Sequence, residues 1–291
     1  MGFDVMSDLP LTTLRHGGGT PLTVDVWAGP DPDGEELIRW RARPRNPFHG
    51  RLIRTASGYG FWASDAGWYV IDPSAPRISI EPGDLSLTRE LRLFGVPTSV
   101  CAVMVGDAAI HASAVEIGDK AVLFGGPSLY GKTTLAAAFA ARGHRLLTED
   151  TTRVRSAPRP SVFPGPSAVR LRADIASSIS IAGYQRMEMP NGRLALIADT
   201  DARGDGRPVL LHSVILLRPG PNVALRPAAR VAAARDLFAL SFLLPSSEHR
   251  ASTFRTITDI VASVAVMNLE RPLTLDATPS VIRAIERYVA G

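Results

Sequence analysis

Eight consecutive residues, Gly126-Pro127-Ser128-Leu129-Tyr130-Gly131-Lys132-Thr133, limit the folds open to this chain more than any other segment. An apolar run at 121–125 precedes them, and an alanine-rich run at 133–142 follows and stops at Gly143. The first run reads as a buried strand and the second as a helix, with the glycine as its C-cap. A strand, a glycine-bounded turn and a helix in that order belong to α/β architecture. The spacing G-x-x-x-x-G-K-[ST] is met by Gly126, Gly131, Lys132 and Thr133. Such a P-loop turns successive backbone N–H groups inward, and the helix N-terminus adds partial positive charge, so the expected ligand is a nucleoside triphosphate. Lys132 is expected on the β- and γ-phosphates and Thr133 on Mg²⁺, with Pro127, Ser128, Leu129, Tyr130 and Thr134 completing the cradle.

Composition strengthens the assignment of Lys132. The chain has 32 basic residues, yet its only lysines are Lys120 and Lys132. A compact ammonium on a flexible stem suits a phosphate nest, and a planar guanidinium does not.

Two flanking features add chemistry. The strand at 145–148 follows the helix and ends on Glu149-Asp150, on the sheet edge where an open α/β sheet places its ligands. A carboxylate there can hold Mg²⁺ or accept a proton from an attacking hydroxyl. Gly118-Asp119 reads as a tight turn between strands at 108–117 and 121–125, so paired positions sum to 237. His111 is then opposite Gly126, beside the phosphates; the alternative is a satisfied structural histidine.

Residues 1–95 read as a small antiparallel β module. Strands are expected at 22–27, 36–43, 51–56, 60–63, 68–71 and 77–80, with Trp40, Trp62 and Trp68 anchoring its core. Residues 96–291 read as the catalytic domain, with later strands at 194–198, 209–217 and 265–269. Helices are expected at 231–243, at 252–264 and from 280, and mobile loops at 199–207 and 246–251. A net charge of +4 without a dense basic run argues against nucleic acid as a partner. The apolar runs are too short or interrupted to span a bilayer, and the first residues lack a secretory signal pattern. Cys101 is the single cysteine, so no internal disulfide forms. The expected location is the cytoplasm.

The segments Ile110-His111-Ala112-Ser113-Ala114-Val115, Val122-Leu123-Phe124-Gly125-Gly126-Pro127-Ser128, Gly131-Lys132-Thr133-Thr134-Leu135 and Arg142-Gly143-His144-Arg145-Leu146-Leu147-Thr148-Glu149-Asp150 carry a family resemblance. Together they resemble the catalytic domain of HPr serine kinase/phosphorylase and its smaller HPr kinase-like relatives. Phe163-Pro164-Gly165-Pro166 with Val169-Arg170-Leu171-Arg172 is similar to a Pro-Gly…Arg-Leu segment of those relatives. The likeness covers about residues 105–175, weakens toward the C-terminus, and does not reach the first 95.

This resemblance implies the α/β P-loop kinase fold shared with phosphoenolpyruvate carboxykinase. The activity it implies is ATP- and Mg²⁺-dependent phosphoryl transfer to a serine hydroxyl. The family's base and metal acids fall on Glu149 and Asp150, and its active-site histidine on His111. Thr133 with Asp150 would hold Mg²⁺, and Arg170, Arg172 or Arg153 would offset developing charge. Relatives of this size include tailoring kinases of ribosomally made peptides such as lasso peptides. A peptide acceptor is therefore expected, with a protein or small molecule as alternatives, and the family leaves an oligomer open. The chain departs from the family at Glu149, where an aspartate is usual, and at Leu129-Tyr130, where small residues are usual; those side chains are expected over the nucleotide or substrate. It also lacks the later Glu-x-Arg-Gly segment, which leaves HPr as acceptor and the phosphorylase activity without support. Two other readings stay open, a nucleotide-binding regulator without phosphotransfer and a nucleotide-hydrolysing switch.

Overall fold

A computed structural model describes residues 2–17, 19–42, 47–72, 74, 76–199 and 202–291. Arg43, at the end of one expected strand, and Thr200 and Asp201, in an expected loop, lie outside these residues.

The N-terminal part forms a seven-stranded sheet in the order β1-β2-β7-β6-β5-β4-β3. Its strands are β1 (Phe3–Ser7), β2 (Thr20–Val26), β3 (Glu35–Trp40), β4 (Gly50–Thr55), β5 (Gly58–Ala63), β6 (Gly67–Asp72) and β7 (Arg77–Ile80). The antiparallel expectation needs correction, because β1 pairs β2 and β2 pairs β7 in parallel. The antiparallel meander from β3 to β7 returns the chain beside β2, and residues 8–19 likewise carry it from β1 to β2, since a parallel pair needs a connection of about a dozen residues or more. Of the three tryptophans only Trp68 is buried. Trp40 stands edge-on to Phe61 at 5.7 Å, and Trp62 lies beside His49 at 5.4 Å.

Two helices not anticipated from sequence follow, α1 (Leu87–Leu93) and α2 (Val96–Met104). Ser86 caps α1, and Pro97 sits in the first turn of α2, where its missing N–H costs nothing. Buried Glu90 on α1 accepts from the backbone N–H and hydroxyl of both Thr12 and Thr13, which ties the N-terminal segment down. One apolar cluster joins this sheet to α2, Ala109 and Leu244. Cys101 lies inside it, and burial pushes its thiol up to about 12.

The remaining chain continues through β8 (Ala108–Ile110), β9 (Ala112–Ile117), β10 (Lys120–Gly125), α3 (Lys132–Ala141), β11 (Arg145–Thr148), β12 (Thr152–Arg155) and β13 (Ser161–Phe163). Next come β14 (Ala168–Arg172), α4 (Ala173–Ala176), β15 (Tyr184–Glu188), β16 (Arg193–Ala198), β17 (Val209–Pro219) and β18 (Ala224–Pro227). It ends with α5 (Arg230–Leu240), α6 (Ser247–Ser263), β19 (Ala265–Arg271) and α7 (Thr278–Ala290). The central sheet runs β11-β9-β10-β17-β13-β12-β8, with β19 paired to β17 and β18. Strands β14, β16 and β15 form a separate three-stranded sheet. The molecule is thus a mixed α/β protein with several sheets.

Two corrections bear on the site. The expected strand 108–117 is two strands, because β8 pairs β12 while β9 pairs β10 and β11. His111 sits at the break, its backbone N–H donating to the Leu240 carbonyl at 2.7 Å. Residues 246–251, expected to be mobile, instead open α6, with Ser246 as N-cap accepting from the His249 N–H at 3.2 Å.

Helices α3 and α7 cover one face of the sheet, and α5 and α6 cover the other. Val281, Ile282, Ile285 and Val289 recur at helical spacing and bury the inner stripe of α7. Phe124 on β10 stacks on Phe139 of α3 at 5.6 Å, which fixes the helix over the strand that leads into the glycine loop. Among the described residues no helix is long and apolar enough to cross a membrane.

Candidate functional site

Strands β10, β17 and β19 run parallel side by side, so their carboxyl ends share one edge. Strand β11 is antiparallel to β9, as is β10, so β11 also ends there. The glycine loop, Glu149-Asp150 and Arg271 all emerge on this edge for that reason.

The loop has the backbone its sequence requires. Gly126 (φ 151°) and Gly131 (φ 80°) both occupy positive-φ conformations that favour glycine, and Gly131 caps α3. Leu129 also has a positive φ, 71°, although its side chain is exposed. A left-handed leucine costs roughly 1–2 kcal/mol, and glycine there costs a smaller loss of chain entropy. Leu129→Gly is therefore expected to leave stability unchanged or raise it by up to about 1 kcal/mol, read by urea unfolding.

Lys132 is buried, and its ammonium donates to the carbonyls of Gly126 at 2.7 Å and Pro127 at 3.2 Å. Burial lowers its pKa, opposed by the charge of Asp150. Ser128, Leu129, Thr133 and Thr134 line the adjoining cleft of about 380 Å³. Tyr130 was expected over the ligand but packs against the main apolar core, and only its carbonyl serves the site, taking Arg271.

Across the cleft stand His111, Glu149, Asp150 and Arg170. The hairpin register holds as predicted from Lys120↔Ile117 to Gly125↔Ala112, which leaves His111 one residue beyond the ladder. Its Nδ1 lies 3.1 Å from the Asp150 carbonyl and 3.2 Å from Asp150 Oδ1. Both neighbours are acceptors, so this nitrogen carries the proton. Arg170 on β14 bridges the two acids, with Nε 2.9 Å from Glu149 Oε2 and Nη2 3.3 Å from Asp150 Oδ2.

The acids differ in environment. Glu149 is nearly buried, and desolvation raises its pKa despite Arg170, helped by the neighbouring Asp150. Asp150 keeps 45 % of its side chain exposed. Desolvation works against its ionised form, but the His111 hydrogen bond and the charges of Arg170, His111 and Lys132 outweigh it and hold Asp150 below the carboxylate range. A depressed carboxylate pKa contributes stability that is present above the ordinary value near 3.8 and is lost as pH falls through the folded-state value. Asp150→Asn is expected to remove that contribution, so its stability falls less steeply than the wild type's below about pH 4, in chemical denaturation at stepped pH.

Arg271 was not foreseen. It is buried at the end of β19 and donates to the carbonyls of Tyr130 at 3.0 Å and Pro272 at 3.4 Å. Among the described residues its Nε has no hydrogen-bond partner, and burial lowers its pKa. A Cβ placed on Gly131 would come within 2.3 Å of Arg271 Nη2, so the glycine is needed for the guanidinium to lie against the loop. The signal was available only through strand order, since β19 lies two strands from β10.

The other arginines divide. Arg172 lines the rim and pairs with Asp174 in the open. Arg153 is remote from the cleft. It is fully buried, 2.6 Å from Asp107, between the rings of Phe3 and Phe163 at 4.3 Å each.

No protein-family model matches the chain, and no curated protein matches it. Among solved structures, the Hpr(Ser) kinase/phosphatase from Coxiella burnetii is similar at 15% identity, over 63% of this chain and 99% of that one, with a TM-score of 0.33.

Proposed function

We propose that the protein is a Mg²⁺-ATP-dependent kinase that transfers the γ-phosphoryl group to a serine-type hydroxyl, most simply that of a peptide. One observation carries this reading. The glycine loop with Lys132 and the His111–Asp150–Arg170 group face each other across a single cleft. The loop amides, Lys132 and Arg271 supply donors for a triphosphate, and the imidazole–carboxylate pair supplies a proton acceptor beside it.

In the proposed reaction the acceptor hydroxyl oxygen forms a bond to the γ-phosphorus. The bond from that phosphorus to the β–γ bridging oxygen breaks, and ADP leaves with the electron pair. The hydroxyl proton passes to the His111–Asp150 pair. Asp150 fixes the imidazole with its proton on Nδ1, which leaves Nε2 as the basic nitrogen. Glu149, buried against Arg170, orients that guanidinium.

The residues present fit Mg²⁺. Magnesium takes one or two carboxylates and fills its shell with phosphate oxygens and water. Asp150, open and held ionised, and the Thr133 hydroxyl line the same cleft and would hold it. The ion would neutralise charge on the β- and γ-oxygens.

Among the described residues no carboxylate pairs with Arg271, and a phosphate oxygen would supply that partner. Arg271→Ala is expected to weaken Mg²⁺-ATP binding about tenfold or more in calorimetry. The unliganded protein should keep nearly its full stability, because removing a desolvated cation offsets the loss of its bonds to the Tyr130 and Pro272 carbonyls.

The activity is tested by incubating the chain with Mg²⁺-ATP and serine-containing peptides and measuring intact masses for one added phosphate. Transfer by the wild type, lost in Lys132→Ala and Asp150→Asn, supports the reading. Transfer that persists undiminished in Asp150→Asn refutes the assignment of the His111–Asp150 pair.

A further inference from the structure

Behind His111 and Asp150 lies a second cavity, of about 320 Å³, on the side facing the N-terminal sheet. His111, Asp150 and Arg170 line both it and the cleft at the glycine loop. Its far wall is aromatic, with Trp40, Phe48 and Phe61 from the N-terminal sheet and its loops and Phe242 from the segment after α5.

The cavity offers little to a charged guest. Its two arginines are already neutralised, Arg92 by Asp65 at 2.8 Å and Arg170 by Glu149 and Asp150. Arg92 also lies over the Phe48 ring, 4.0 Å from its centroid. The hydroxyls of Ser99 and Ser241 donate to the carbonyls of Gly95 and Leu237. Beside the aromatic wall, Leu91, Val96, Ala109 and Leu240 add apolar lining on which water gains little.

Direction matters as much as polarity. In phosphoryl transfer the attacking and leaving oxygens lie roughly in line on opposite sides of the phosphorus. A nucleotide in the glycine loop fills the front, so an acceptor must approach from the rear, past His111 and Asp150.

We infer that this rear cavity is the acceptor site, and that it selects a serine hydroxyl flanked by a neutral aromatic or aliphatic side chain, which the wall of Trp40, Phe48, Phe61 and Phe242 receives. The inference rests on the kinase reading above. It gives the N-terminal sheet a role in recognition, because three of the four aromatic walls come from residues 40–61. The transfer step is unchanged: the serine oxygen bonds to the γ-phosphorus, ADP departs with the bridging oxygen's electrons, and the proton goes to the His111–Asp150 pair.

The test uses the full chain, Mg²⁺-ATP and a panel of short peptides that differ only beside the serine, carrying Phe, Leu, Ala, Asp or Lys. Relative kcat/KM is read by phosphopeptide mass spectrometry. Phe- or Leu-flanked serines should exceed the Ala-flanked one about tenfold or more, the scale on which an apolar pocket discriminates, with Asp and Lys poorest. In Trp40→Ala the Phe-to-Ala ratio should fall toward one; a ratio within one variant is insensitive to how much of it folds. Transfer to all peptides at similar rates, or an undiminished ratio in Trp40→Ala, overturns the inference and leaves the kinase reading standing. Absence of transfer to every peptide overturns both.

Discussion

Lys132→Ala is expected to abolish the thermal stabilisation given by Mg²⁺-ATP while leaving the unliganded protein nearly as stable as before. Without nucleotide, the Lys132 ammonium is buried, holds two loop carbonyls and has its pKa lowered by desolvation. Removing it relieves a desolvated cation but frees the Gly126 and Pro127 carbonyls, and these effects oppose each other within about 1 kcal/mol. Bound nucleotide is different. At a hundredfold excess over Kd, a ligand adds about 2.7 kcal/mol to folding stability. That increment should vanish in the variant, and phosphoryl transfer should fall by about 100-fold or more, since charge stabilisation at the transferring group is the main catalytic term. Thermal melts with and without Mg²⁺-ATP separate the two effects. A variant that loses its unliganded stability instead would make Lys132 a structural residue.

Arg153→Ala is expected to do the reverse. Arg153 is fully buried, donates from Nε to Asp107 at 2.7 Å and from Nη2 to Thr20 at 2.9 Å, and is clasped by two phenyl rings. It therefore links β12 of the central sheet to β2 and the Phe3 strand of the N-terminal sheet. Breaking a buried pair leaves an uncompensated charge and typically costs about 3–5 kcal/mol. Arg155 also reaches Asp107, at 3.0 Å, so the lower end of that range is expected. Urea unfolding should show the loss, while the fraction that folds binds Mg²⁺-ATP with unchanged affinity. A folded variant with weakened nucleotide binding would return Arg153 to the site.

Arg153 and Arg271 differ from the glycine loop in what their sequence surroundings reveal. The glycine loop was legible because its geometry is local: eight residues between a strand and a helix carry the whole pattern. The register that pairs Lys120–Gly125 with Ile117–Ala112 was legible because a two-residue turn fixes pairing on both sides. Glu149-Asp150 could be placed since β11 follows α3 directly. Arg153 and Arg271 could not be sorted in this way. Both are arginines on strands, and their roles depend on whether the strand neighbours the loop edge or the N-terminal sheet. Arg271 is 140 residues from Gly131, and only the order β10-β17-β19 brings them together. The rear cavity was illegible for the same reason, since its walls come from segments at residues 40–61, 91–111, 150–151, 170 and 240–242. Tyr130 differs from expectation because a side chain inside a loop sequence can still pack against the core.

The central claim is that the glycine loop holds a triphosphate opposite the His111–Asp150 pair. A crystal structure of the chain with Mg²⁺ and a non-hydrolysable ATP analogue tests this most directly. The triphosphate is expected on the amides of residues 126–133, with Lys132 Nζ moved from the Gly126 and Pro127 carbonyls onto phosphate oxygens. Asp150 is expected at the metal and Arg271 against a phosphate. An analogue bound elsewhere, or a triphosphate in the cleft with Lys132 still held by its own loop, would contradict it.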